Sequence, residues 1–108
     1  HSLLVAIKIR VNDDNLFGEK RRGHICHCDN CRKVAGGIFG ANLIIEDEKV
    51  EFLNGKENLR RYEDLDTLSG TPLGRFFCQT CGVPIMSVTP NYKGKVVLKL
   101  GIVRVHPI

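Results

Sequence analysis

The sequence predicts a mainly β fold of antiparallel sheets in sandwich-like layers, with little helix. Apolar, often β-branched residues recur in short runs with a period of two, which is the spacing of a strand with one buried face. Turn residues separate these runs, and the 108 residues include eleven Gly and four Pro. A chain of this length is expected to form one domain over residues 1–108.

The first third of the chain predicts a strand, an extended segment and one short helical turn. In residues 3–11, Val and Ile alternate with Lys and Arg, as in a half-buried strand. Residues 24–28 are expected to be extended. Residues 30–34 are expected to form the helical turn, which Gly36-Gly37 would end.

Six further strands are predicted, at residues 38–45, 49–53, 58–62, 75–78, 83–88 and 95–103. Asn54-Gly55 is a strong hairpin signal between the second and third of these. The polar residues 63–74 predict a loop. The last strand is a candidate edge strand, which would be available for pairing in a dimer, although nothing in the sequence fixes the oligomeric state.

Composition and charge argue against several classes of protein. Sixteen Lys and Arg residues against twelve Asp and Glu give a net charge of +4, with both signs interspersed, so a nucleic-acid partner is not expected. The sequence contains neither an apolar run long enough to span a membrane nor a signal-peptide pattern. Clustered rather than dispersed cysteines favour metal binding in a reducing compartment, which predicts the cytoplasm, with the nucleus as an alternative.

The five cysteines lie in two clusters. Cys26, Cys28 and Cys31 fall within six residues, and Cys78 and Cys81 form a separate Cys-x-x-Cys pair. Such pairs recurring at a distance in a short chain indicate zinc. An iron–sulfur cluster is less well supported, because the first cluster has no fourth cysteine nearby.

The spacing of the cysteines allows two arrangements. If the first segment is extended, Cys26 and Cys28 point to the same side, and Cys31 can fold back toward them after a tight turn. These three thiolates would leave one position on a zinc ion open for chemistry. In the other arrangement Cys28, Cys31, Cys78 and Cys81 form a closed structural site, and Cys26 takes no part.

The run CHCDNCRK at residues 26–33, with RFFCQTCG at residues 75–82, resembles the glutathione-dependent formaldehyde-activating enzyme family. The resemblance spans roughly residues 2–100 and implies the Mss4-like fold, which the centromere protein V group shares. It implies a zinc-dependent carbon–sulfur lyase. Such an enzyme would add a small-molecule thiol, glutathione, to formaldehyde or a related small carbonyl compound and form S-hydroxymethylglutathione.

The resemblance also implies a role for the first cluster. In the family, the three cysteines of the CHCxxC run hold the catalytic zinc, which here implies Cys26, Cys28 and Cys31. A substrate thiol would occupy the open position. Arg32 and Arg75, which adjoin the two runs, are candidate catalytic residues that would bind a carboxylate or an oxyanion.

The second cluster departs from the family pattern. Family members complete a structural zinc site with an N-terminal Cys-x-Cys, which implies that Cys78 and Cys81 are metal ligands. Ser2 and Leu4 stand at the matching positions here, so this site is incomplete and one zinc ion is expected. The alternative function is a non-catalytic, zinc-stapled module that binds a protein or chromatin.

Overall fold

A computed structural model describes residues 7–13, 22–67 and 69–102. This part of the chain contains eight strands and one short α-helix, in the order β1 Lys8–Val11, β2 Gly23–Cys26, α1 Asp29–Ala35, β3 Gly40–Glu46, β4 Val50–Asn54, β5 Leu59–Asp64, β6 Leu73–Cys78, β7 Pro84–Val88 and β8 Lys95–Lys99. Three short 3₁₀ turns lie at Asp47–Lys49, Lys56–Asn58 and Leu100–Ile102. No helix among these residues is both long enough and apolar enough to cross a bilayer.

The strands form two antiparallel sheets. Strands β1 and β4 pair in a two-stranded sheet, and the others form a six-stranded sheet in the order β2-β3-β8-β7-β6-β5. Every pairing between described strands is antiparallel. The predicted mainly β, antiparallel fold is therefore confirmed.

One face of the six-stranded sheet carries the apolar core. Side chains of directly opposed residues lie on the same face of an antiparallel pair. Leu43 on β3 opposes Leu98 on β8, which opposes Met86 on β7. The core cluster on this face contains the buried residues Leu43, Ile45, Val96 and Leu98, against which Ile9, Val11 and Val50 of the small sheet also pack. Burial of this apolar surface drives the two sheets together.

The opposite face of the six-stranded sheet is polar. His24 on β2 opposes Asn42 on β3, and Asn42 opposes Lys99 on β8. Further along the sheet, Ser87 on β7 opposes Arg75 on β6. Asn42 and Ser87 are only 3% and 4% exposed. Polar side chains are seldom buried unless they have hydrogen-bond partners. A group of buried polar residues on this face therefore marks it as the expected position of a functional site.

The predicted hairpin at Asn54-Gly55 is wrong. Gly55 takes the left-handed conformation, with φ of 82°, but it leads into the 3₁₀ turn at Lys56–Asn58 rather than into a paired strand. Strand β4 pairs with β1, whereas β5 pairs with β6. The local turn signal is real, but it redirects the chain from one sheet to the other.

The predicted position of the last strand at a sheet edge is also wrong. Strand β8 lies between β3 and β7 in the middle of the large sheet. It ends at Lys99 rather than at residue 103, and Val96, Val97 and Leu98 are all buried. The predicted loop is shorter than 63–74, because β5 continues to Asp64. Residues 3–6 and 103 lie outside the described residues.

An ion network joins the ends of three strands from the two sheets. Arg22, before β2, contacts Glu46 Oε2 at the end of β3 through Nη1 at 2.7 Å, and Asp13 Oδ2, which follows β1, through Nη2 at 3.3 Å. Lys49 Nζ lies 3.2 Å from the same Asp13 oxygen and 3.4 Å from Glu46 Oε1. The hydrogen bond from Arg22 lowers the pKa of Glu46 to about 2. The network therefore fixes the small sheet to the large one at this end.

Substituting Glu46→Gln should make the free energy of unfolding depend less on pH under acidic conditions. The pKa of Glu46 falls from an ordinary 4.5 to about 2 in the folded chain. Its contribution to stability is therefore present above 4.5 and lost as the pH falls toward 2. Urea unfolding of metal-free protein at a series of pH values measures this effect.

Glu48→Gln, at an exposed position two residues along, is the matched control and should keep the wild-type profile. An acid limb that stays the same in Glu46→Gln would contradict the assignment to this network.

Candidate functional site

The first three cysteines converge at the junction of β2 and α1. Cys26 is the last residue of β2, Cys28 is the N-cap of α1 and Cys31 lies in the first turn of that helix. Their three Sγ atoms lie within 4.8 Å of one another. Among the described residues this is the one cluster of three or more His, Cys, Asp or Glu side chains arranged to hold a metal ion.

The fold of this segment follows from two local features. Cys28 has an extended backbone with ψ of 157°, and its Sγ accepts a hydrogen bond from the Cys31 amide at 3.3 Å, as an N-cap side chain does. At the other end, Gly36 takes the left-handed conformation, and its N–H donates to the carbonyl oxygens of Arg32 and Lys33. The predicted helical turn ended by Gly36-Gly37 is thus confirmed, slightly longer than expected.

Helix α1 packs against the sheet at Gly40. This residue opposes Cys26 in the β2–β3 pair. A Cβ atom at Gly40 would lie 3.4 Å from Cys31 Cβ and 3.5 Å from the Cys31 carbonyl oxygen. Alanine would just make contact, and a larger side chain would push Cys31 away from Cys26.

The electrostatics of the three thiols favour a bound cation. Burial, followed by hydrogen bonds with Cys28 and Cys26, raises the pKa of Cys31 to about 12. Burial also acts to raise the pKa of Cys28, but hydrogen bonds from Cys31, Cys26 and Asn30 outweigh it and lower that pKa. One thiolate is therefore favoured at the expense of its neighbours. A divalent cation would remove this conflict, and thiolate donors at this spacing suit zinc.

The other two cysteines occupy a separate knuckle at the end of β6. Cys78 is 1% exposed and packs in a cluster with Ile7 and Ile85, with Cys81 partly buried against it. Burial acts to raise the pKa of Cys78, but hydrogen bonds from Cys81 and Thr80 outweigh it and lower the pKa. The backbone of this knuckle therefore favours a thiolate at Cys78.

The structure does not bring the two cysteine clusters together. In the described part of the chain, Cys78 and Cys81 belong to no group of three metal-ligating atoms, and no disulfide joins any of the five cysteines. The closed arrangement of Cys28, Cys31, Cys78 and Cys81 is therefore absent from the described residues. Ser2 and Leu4 lie outside those residues, so metal binding by the second pair stays a prediction.

A buried carboxylate anchors α1 to the far side of the sheet. Asp64 Oδ2, at the end of β5, accepts from Arg75 Nε at 2.9 Å and from Asn30 Nδ2 at 3.2 Å, and Asp64 Oδ1 accepts from the Asp66 amide at 3.0 Å. Asn30 Nδ2 also donates to the Asp66 carbonyl oxygen at 2.6 Å. Burial acts to raise the pKa of Asp64, but Arg75 and the other donors lower it, so a charged carboxylate holds the helix, the loop and β6 together.

A cavity of about 230 Å³ lies between α1 and residues of the large sheet. Its lining includes Val34 of α1, Tyr62, Arg75 and Lys99. Val34 is on the same short helix as Cys31. Burial lowers the pKa of Lys99, and the charges of Cys31, Cys26 and Cys28 act against that shift. No cysteine is among the described residues that line this cavity, but Val34 places it next to the helix that carries Cys31.

The two arginines predicted from the sequence lie in different environments. Arg75 lines the cavity, and its side chain is 13% exposed. Arg32 pairs with Asp29 in the same helix; its side chain is 48% exposed and it is not among the residues that line this cavity. The catalytic roles of both arginines stay predictions.

Sequence reasoning missed a chain of polar residues beside the cysteines. Lys99 Nζ donates to Asn42 Oδ1 at 3.2 Å, and Asn42 Nδ2 lies 3.4 Å from His24 Nε2. Because Lys99 donates to the Asn42 oxygen, the Asn42 amide nitrogen faces His24, and His24 Nε2 is the acceptor of that hydrogen bond. Burial, and then the charge of Lys99, lowers the pKa of His24, which keeps the imidazole neutral. The available signal was Lys99 itself, a charged residue between Leu98 and Leu100 in an apolar strand.

Fold and site together define a mainly β protein with a thiolate cluster that can hold a metal. The sequence matches the family model of the glutathione-dependent formaldehyde-activating enzyme over residues 6–107, and the chain belongs to that family. No curated protein matches the sequence. A crystal structure of a Rhodobacter sphaeroides protein is similar at 22% sequence identity and a TM-score of 0.66, with 94% of this chain and 84% of that chain covered. This similarity supports the fold.

Zinc stoichiometry should distinguish the two cysteine arrangements. Native mass spectrometry of the wild type is expected to show one zinc ion per chain. Cys26→Ser should lose that ion, because two remaining thiolates do not form a stable zinc site. Cys81→Ser is the comparison variant and should keep it. The reverse pattern, with zinc kept without Cys26 and lost without Cys81, would contradict the three-cysteine site and indicate a closed one.

Proposed function

We propose that this chain is a zinc-dependent carbon–sulfur lyase that adds the thiol of glutathione to formaldehyde or a related small carbonyl compound. The observation that carries the proposal is the convergence of the Cys26, Cys28 and Cys31 sulfur atoms within 4.8 Å of one another, beside an open cavity. Membership of the formaldehyde-activating family supports the choice of substrates.

The reaction joins two small molecules without any redox change. The thiol sulfur attacks the carbonyl carbon, a carbon–sulfur bond forms, and the π electrons of the carbonyl move onto its oxygen. The proton that leaves the thiol ends on that oxygen, which gives a hydroxymethyl thioether. A zinc ion held by Cys26, Cys28 and Cys31 would lower the pKa of a substrate thiol and so supply the nucleophile at neutral pH.

The protein residues act mainly by holding the reactants together. Bringing two reactants into one site removes much of the entropic cost of their encounter. Arg75, held at 2.9 Å by Asp64, presents a fixed positive charge to the cavity. A fixed guanidinium is suited to stabilise negative charge that develops on an oxygen, because it needs no reorganisation during the reaction.

The size of the cavity limits how glutathione would bind. A volume of about 230 Å³ is below the roughly 300–1,000 Å³ of sites that enclose drug-sized ligands. The cysteinyl part of glutathione and its neighbouring glycyl carboxylate would enter the cavity, and the γ-glutamyl part would lie at its mouth, where Tyr62 is 61% exposed. The same opening would admit a smaller thiol.

The activity is tested with zinc-loaded protein, glutathione and ¹³C-formaldehyde. Nuclear magnetic resonance should show the hydroxymethyl adduct forming and exchanging faster than in the protein-free mixture, and Cys26→Ser should abolish the acceleration. Protein that retains zinc but gives no acceleration would contradict the enzyme function and favour the zinc-stapled binding module.

Variants of the two arginines should differ in kcat/KM in the same assay. Arg75→Gln is expected to lower kcat/KM by at least about tenfold, because it removes a charge-assisted hydrogen bond to the substrate and also the partner of Asp64, which anchors α1. Arg32→Gln, on the exposed side of α1, should change kcat/KM by less than about twofold, as surface charges usually do. A larger loss in Arg32→Gln than in Arg75→Gln would assign the substrate contact to Arg32. Circular dichroism checks that both variants fold.

A further inference from the structure

Lys99 is an unusual cation on the polar face of the sheet. It lies at the end of the central strand β8, partly buried, and lines the cavity next to α1. Its ammonium group makes one side-chain hydrogen bond, to Asn42 Oδ1 at 3.2 Å. Within residues 7–13, 22–67 and 69–102, no carboxylate lies within ion-pair distance of it.

The electrostatic influences on Lys99 act in opposite directions. Burial, together with the positive charge of Arg75, acts to lower its pKa, whereas Cys31, Cys26 and Cys28 act to raise it. Arg75 differs because Asp64 balances its charge at 2.9 Å. A cation withdrawn from water without a counterion is costly, so the arrangement calls for an anion in the cavity or at the cysteines.

Asn42 fixes where the ammonium group can act. Asn42 is 3% exposed, and its amide nitrogen lies 3.4 Å from His24 Nε2, so its oxygen is turned toward Lys99. A lysine ammonium has three donors. One is used by Asn42, and the others are available to a ligand in the cavity that Lys99 lines.

We propose that Lys99 is the specificity-determining residue of this cavity and that it binds the carboxylate of the thiol substrate. The inference rests on the proposed function, and it narrows the substrate class to small thiols that carry a carboxylate. Such a thiol would place its sulfur at the cysteine cluster and its carboxylate at Lys99. Glutathione belongs to this class, and so do shorter mercapto acids.

A matched pair of probes tests the proposal. 3-Mercaptopropionate and its neutral amide have the same length and differ in charge. Calorimetric titration into zinc-loaded wild type should show that the acid binds about tenfold more tightly than the amide, which is the usual effect of one charged hydrogen bond. This preference should decrease as salt is added, because a partly open ion pair is screened.

Variants of the two lysines on β8 assign the preference. Lys99→Gln should bind the acid and the amide with nearly equal affinity, and Lys99→Arg should restore a preference for the acid. Lys95→Gln, on the same strand at an exposed position, is the matched control and should behave as the wild type. Thermal melting shows whether each variant folds, and the acid-to-amide ratio of the wild type tests the proposal without any variant.

Three outcomes would overturn the inference. One is equal binding of acid and amide by the wild type, and another is an unchanged preference in Lys99→Gln. The third is an equal loss of affinity for both probes in Lys99→Gln, which would make Lys99 a counterion of the metal centre only. A measurement on cobalt-substituted protein distinguishes these three outcomes from failure of the proposed function itself. Thiol binding at the metal changes its sulfur-to-cobalt absorption band, and no change with either probe would overturn the function and the inference together.

Discussion

The site depends on how a helix of seven residues is held against a sheet. Isolated helices shorter than roughly 12 residues are marginal in water, so α1 has no stability of its own to position Cys31. Its first turn is fixed by the Cys28 cap and by the bonds from Asn30 to Asp64 and Asp66. Gly40 then lets the helix approach β2 and β3 closely. These contacts bring the cysteine sulfurs together.

The large sheet supports this arrangement because one of its faces forms the apolar core and the other lies beside α1. Apolar side chains such as Leu43 and Leu98 form the core with the small sheet, and the face that carries Asn42 and Lys99 lies beside α1. The middle strand, β8, belongs to both environments, since its residues alternate between them. The core therefore holds the polar face in a fixed geometry. This is the rigid support that a binding or catalytic site requires.

The local parts of this structure could be predicted from the sequence, and the non-local parts could not. Three cysteines within six residues can converge through one strand end and one turn, so their grouping was accessible from spacing. The hairpin at Asn54-Gly55 failed because the partners of β4 and β5 come from distant parts of the chain. Lys99 and Gly40 were missed for the same reason. Their roles arise only when β8 and α1 meet β3, and neither residue carries a local motif.

The two cations of the cavity show how one face can combine architecture with binding. The charge of Arg75 is already balanced by Asp64, in the same cluster that anchors α1, so part of its role is to keep the helix in place. The ammonium of Lys99 is held by the neutral Asn42 side chain, which orients the charge without cancelling it. A neutral partner preserves the field that an anionic ligand would experience, whereas a carboxylate partner would remove most of it. The buried amide therefore makes Lys99 the better suited of the two cations to select a ligand by charge.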